Sequence, residues 1–136
     1  MGAWGHQPFE DDDAVDWTYD LLESKDKAAF LLQSLNKPLD DGTGADVLAA
    51  AEVVAALMGS PCPQLATPDA YTQATAAWLK TAKVTVSPQL KSAAQAAVRK
   101  LLGPDSELAA LWAESFEPDE NEWRKETEGL LKRLGG

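Results

Sequence analysis

The residues with the clearest capacity for chemistry are carboxylates near the start of the chain. Asp12, Asp16, Asp20 and Glu23 fall at i, i+4, i+8 and i+11, so on a helix they stack along one side. Like charges at this spacing cost about 0.2–0.5 kcal/mol per pair. The positive end of the helix dipole offsets Asp12, but it does not reach Asp16 and Asp20. Three readings fit such a face: a solvated surface or internal ion pair, a docking site for a basic protein, or a place for a divalent cation. A Ca²⁺ or Mg²⁺ site needs oxygen ligands converging from more than one segment. One helical stripe does not supply that, and the Asp11–Asp13 run lacks the Gly and terminal Glu of a calcium-binding loop.

Glu52 is a different case, because it interrupts the apolar run VLAAAEVVAALM. A carboxylate there emerges on a narrow exposed stripe, is anchored by hydrogen-bond donors, or acts as an acid with a raised pKa. His6 is the only imidazole and lies in the opening MGAWGHQPF close to several acids. It reads either as a hydrogen-bonded loop residue or as a general base. Cys62 stands between Pro61 and Pro63, which keep it in a loop. Paired with His6 it would make a nucleophile constellation, but no oxyanion motif accompanies the two, and an inert thiol is the simpler reading. Of the five tryptophans, Trp17, Trp78, Trp112 and Trp123 lie on apolar faces of expected helices, where core packing accounts for them better than a cofactor cage. The candidate binding residues are Trp4, His6, Asp12, Asp16, Asp20 and Glu52. No catalytic residue, metal ligand or cofactor is assigned.

These groups must be positioned by helices. Residues 1–10 read as an ordered, irregular arm, since Gly2, Gly5 and Pro8 oppose a helix while Trp4 and Phe9 favour burial. A first helix is expected over 12–23, capped by Asp11, with Ala14, Trp17 and Leu21 inward. A second covers 25–35, with Ser24 as cap and Ala28, Leu31, Leu32 and Leu35 inward. The third, 45–58, follows a near capping box at Thr43 and Asp46 and ends at Gly59 and Pro61. It is apolar nearly all round and should be the central buried helix. Thr67–Pro68 and Ser87–Pro88 read as N-caps with Pro in the first turn, opening helices over 68–81 and 88–102. In the former, Tyr71, Ala74 and Trp78 should face inward. Two more helices cover 106–115 and 120–133, and 82–86 is too short to build a sheet. The expected fold is all-α: one compact domain of about seven short helices packed around 45–58.

Composition supports this and narrows function. A chain of 136 residues with 45% hydrophobic and 25% charged residues is one ordinary globular domain. One Cys excludes an internal disulfide framework and suits a reducing compartment; one His excludes any two-His metal site. The net charge of −10 argues against nucleic acid and against anionic lipid as partners. Residues 1–24 carry seven acids and no base, residues 25–104 sum to +2, and residues 105–136 sum to −5. A basic protein would be steered toward the acidic ends. The opening lacks the basic start and apolar run of a signal peptide, and Val47–Met58 is too short to cross a bilayer, so the cytoplasm is the expected location. Walker, GxGxxG, GxSxG, HExxH and CxxC motifs are absent.

The opening MGAWGHQPFEDDDAVDW resembles a bacterial family of small proteins of unknown function. Its members begin Met-Gly-(Ala/Thr)-Trp-Gly-x-x-x-Phe, followed by an Asn/Asp-rich cap and Ala-x-Asp-Trp. Ala49–Leu57 with Gly59 and Pro61, Ala76–Lys80, and Asp105–Trp112 are similar to further stretches of that family, in the same order. Gln7 and Asp11 stand where many members have Gly and Asn. The resemblance implies a bacterial cytosolic protein and brings no activity or cofactor. Its motif positions divide into packing residues (Trp4, Phe9, Ala14, Trp17) and polar ones (Asp12, Asp16, Glu52). The resulting expectation is an acidic, non-enzymatic binding module for a basic protein, of the immunity or inhibitor type. The alternative is a small enzyme or divalent-metal protein using the first helix's carboxylates and Glu52.

Overall fold

The computed structural model describes residues 9, 12–37, 44–104, 106–115 and 121–135. Among them every regular element is a helix: α1 (Asp12–Glu23), α2 (Lys27–Leu35), α3 (Gly44–Leu57), α4 (Pro63–Ala66), α5 (Gln73–Thr81), α6 (Pro88–Leu101), α7 (Glu107–Ser115) and α8 (Glu122–Arg133). The arrangement follows from α3. Its residues from Val47 to Ala55 are all buried, so it needs neighbours on every side. Packed against it are α1, α2, α6, α7 and α8. Its alanines let these neighbours come close, and larger side chains fill the gaps between them: Leu21 from α1, Leu31 from α2, Leu101 from α6 and Leu130 from α8. The all-α architecture around a central Ala/Val-rich helix is the expected one.

Local chemistry sets the helix ends. The Ser87 hydroxyl accepts from the Leu90 amide with Pro88 in the first turn, as the sequence predicts for α6. Asn121 caps α8 through the Arg124 amide, and Ser106 caps α7 through the Ala109 amide. The cap of α2 is Asp26, which accepts from the Ala29 amide. Ser24 donates instead to the Leu21 carbonyl at the end of α1, so α2 starts two residues later than expected and Ala28 faces solvent. The expected caps Asp11 and Thr43 lie outside the described residues, as does the N-terminal arm except for Phe9.

The larger difference lies between 59 and 73, where the sequence suggests a loop followed by one helix from 68. The structure has the short α4, and then α5 beginning at Gln73, which raises the number of helices among the described residues to eight. Thr67 is the C-cap of α4, its amide donating to the Pro63 carbonyl. Helix initiation at Pro68 loses to side-chain turn chemistry. Asp69 accepts from the amides of Tyr71 and Thr72, and the Thr72 hydroxyl donates to the Gln64 carbonyl. Such bonds offer the backbone an alternative to a helical turn. The inward face changes in part: Tyr71, which precedes α5, and Ala74 are exposed, Thr75 and Ala76 are buried, and Trp78 packs half-buried against the core as expected.

Candidate functional site

Two places carry charge in a form that could act. The first is the outer face of α1. Ala14, Trp17 and Leu21 turn inward, the Trp17 indole N–H donating to the Ser34 hydroxyl at 2.9 Å. That bond and the packing of Trp17 on Phe30 fix the rotation of α1. Fixing it presents Asp12, Asp16, Asp20 and Glu23 to solvent along one side. Tyr19 stands within this face, three residues after Asp16 and four before Glu23, and is 53% exposed. Among the described residues no side chain of the chain pairs with Asp16, Asp20 or Glu23.

The second place is interior. Glu52 is 1% exposed in the middle of α3. Its partner comes from the far end of the chain: the Arg133 guanidinium donates to Oε1 at 2.9 Å and to Oε2 at 3.2 Å. Arg133 also donates to the Ser60 carbonyl at 2.9 Å. That carbonyl is placed by the end of α3, where Gly59 takes φ +93° and the Ser60 amide returns to the Ala55 carbonyl. Only a residue without a Cβ adopts this φ freely, so Gly59 turns the chain back under Arg133. The guanidinium thus sits near the negative end of the α3 dipole as well as on a carboxylate. Burial raises the pKa of Glu52, the Arg133 hydrogen bond and charge oppose the rise, and Glu126 adds to it.

Cys62, which the sequence places in a loop, is the N-terminal flanking residue of α4 and is buried. Burial and the neighbouring Glu52 charge push its thiol up to about 12, against the opposing effects of the Leu65 and Gln64 amides and Arg133. A thiol held neutral in this way is a poor nucleophile. Gln64 on the same short helix accepts the Phe9 amide at 2.8 Å, and Phe9 is fully buried.

The candidate residues therefore separate. Asp12, Asp16 and Asp20 share an exposed face, while Glu52 is enclosed with both oxygens bound to Arg133. Trp4 and His6 lie outside the described residues. Among the described residues no group of three or more His, Cys, Asp or Glu side chains is placed to hold a metal ion, and no helix is long and apolar enough to cross a membrane. Sequence reasoning missed Arg133 and Ser60. A base in the last turn of α8 already has a reason to be there in the helix dipole, so it did not suggest a partner 81 residues away.

A family model described as a domain of unknown function, DUF4259, matches residues 2–126. The chain belongs to this family. No curated protein and no solved structure matches it. The span matched to DUF4259 includes the α1 face and Glu52 and stops before Arg133, so in this member the counter-charge of Glu52 is supplied by residues beyond the matched segment.

Proposed function

We propose that this DUF4259 protein is an acidic, non-enzymatic binding module whose α1 face docks on a basic protein, acting as an immunity or inhibitor-type partner in the bacterial cytoplasm. The observation that carries the reading is the orientation of α1: the helix buries its apolar side, leaving Asp16, Asp20 and Glu23 without a cation among the described residues, around an exposed Tyr19. Carboxylates clustered on one face steer a cationic partner and set its register. A half-exposed tyrosine among them offers contact area at little entropic cost and a ring face for Lys or Arg. The net charge of −10 adds long-range attraction. The alternative, an enzyme or divalent-metal protein using helix-1 carboxylates and Glu52, has less support, because the exposed face and the enclosed Glu52 do not converge.

The test is affinity capture with the intact protein at low and high salt, followed by binding measurements on the protein identified. The reading expects a basic partner whose affinity falls steeply with salt. It also expects a loss of tenfold or more for the triple variant Asp16→Asn, Asp20→Asn, Glu23→Gln, since each rim charge acts mainly on association. Capture that is indifferent to both salt and the triple variant would sink it.

A further inference from the structure

Between α5 and α6 the chain runs through Ala82, Lys83, Val84, Thr85 and Val86 with neither turn nor bend. The dihedrals at both ends are extended: φ −64° and ψ 134° at Ala82, φ −72° and ψ 160° at Ser87. Burial alternates along the segment. Ala82, Val84 and Val86 are half-buried, Val86 against the core, while Lys83 and Thr85 are exposed. That is the period of a strand lying with one side on a body, and the β-branched run Val84, Thr85, Val86 favours such a backbone. Yet no hydrogen bond among the described residues reaches an N–H or C=O group of 82–86. The segment is too short to build a sheet by itself, but it has the ordinary length of one strand within a sheet. It is a strand without a neighbour, and an unpaired strand edge is a template for another chain.

Charge selects the kind of chain. Residues 70–104 hold five bases and no acid, in a protein of net charge −10. Lys83 stands on the outer side of the segment and Lys80 in the last turn of α5; both are exposed, and no described acid pairs with either. A second copy of the segment would bring like charges together across the two strands, whereas an acidic strand would meet these lysines with opposite charge. We propose that 82–86 is a docking edge for an extended acidic peptide segment, which adds alongside it as a second strand. Acidic side chains of the peptide lie beside Lys83 and Lys80, and its alternate, β-branched side chains lie on the apolar side shared with Ala82, Val84 and Val86. In strand addition the main-chain bonds supply affinity and the alternate side chains supply specificity. This edge belongs to a different element from the α1 face and takes a partner of opposite charge, so each reading survives the failure of the other.

The probe is a synthetic peptide of about eight residues, alternating glutamate and valine and blocked at both ends, which spans the segment with a margin. It is titrated into the intact protein while amide hydrogen exchange is followed residue by residue. Strand addition expects alternate amides of 82–86 to gain protection of about tenfold or more at saturation. The backbone nitrogens of the peptide form two alternate sets, of which one faces the protein. Methylating that set should weaken binding about tenfold or more, and methylating the other should leave it unchanged. Lysine in place of glutamate should weaken the peptide about tenfold for the unsubstituted protein, and the exposed double variant Lys80→Glu, Lys83→Glu should reverse that preference. Absence of binding at about 1 mM peptide, or binding indifferent to methylation of either set, overturns the proposal. So does protection of 82–86 that rises with protein concentration in the absence of peptide, since a second copy would then be the occupant.

Discussion

Replacing Arg133 by Gln should be among the most damaging single changes outside the apolar core, and its cost should depend on pH in a set direction. The substitution removes two charge-assisted bonds to Glu52 and the bond to the Ser60 carbonyl. It leaves a carboxylate that is 1% exposed. Breaking one side of a buried pair costs about 3–5 kcal/mol. The Arg133 side chain is 27% exposed, so water reaches part of the site and the lower end, about 3 kcal/mol, is the better figure. For a domain of this size that is a fall in Tm of roughly 10 °C or more. The pH direction follows from Glu52, whose pKa burial already raises; losing the guanidinium raises it further. A carboxyl with a folded pKa above its unfolded value, about 4.3, binds its proton more tightly when folded. Stability then falls as pH rises from the unfolded value through the folded one, and recovers as pH falls back. The gap between the variant and the unsubstituted protein should therefore be smallest near the unfolded value and widen as pH rises above it. The double variant Glu52→Leu, Arg133→Met should be near neutral, since replacing a buried pair by apolar side chains often is. Urea unfolding at several pH values, followed by tryptophan fluorescence, gives all three results. A loss under about 0.5 kcal/mol for Arg133→Gln, with no dependence on pH, would show that Glu52 is solvated and the reasoning wrong.

Thr75 supplies a prediction of the opposite sign: among the described residues its buried hydroxyl has no hydrogen-bond partner, so Thr75→Val should raise stability by about 1 kcal/mol, read as a higher urea midpoint with unchanged slope. Trp17→Phe keeps most of the ring packing but removes the indole donor to Ser34. It should cost about 1–2 kcal/mol, against about 3–5 kcal/mol for Trp17→Ala, both measured by thermal melting.

Architecture was legible because it rests on spacing and caps. Ala14, Trp17 and Leu21 mark the buried side of α1 by period alone, and the Ala/Val run of α3 can only be central. Ser87–Pro88 marks a helix start because nothing nearby competes for it. Thr67–Pro68 has the same signature and fails, since Asp69 and Thr72 spend their side chains on turn bonds. The outcome depends on whether the Thr72 hydroxyl finds the Gln64 carbonyl, a contact made only after the chain has folded. The acidic face was readable for the same periodic reason. Glu52 was visible as an anomaly, but its partner was not: no local pattern links residues 52 and 133, and the contact exists only because α8 lies across α3.

The two charged places are connected by what each does to the surface. Glu52 is the one buried carboxylate among the described residues, and Arg133 neutralises it. The interior pair contributes no net charge, so among the described residues the excess of acid over base lies outside the core. On α1 that excess is concentrated by helix geometry: every residue that packs inward is uncharged, and the acids are left the outer side. Elsewhere some acids meet bases of the same chain, as half-buried Asp46 meets Lys37 and exposed Glu128 meets Arg124. Asp16 repels Asp20 and Asp20 repels Glu23, each of these two pairs costing about a few tenths of a kcal/mol at this spacing. A cationic partner offsets that term with attraction of its own. That attraction is part of the driving force for binding, and like the repulsion it diminishes as salt screens both states. Salt should accordingly stabilise the free protein slightly at α1 while weakening the complex, two opposite trends that a single solvated face with no partner would not couple.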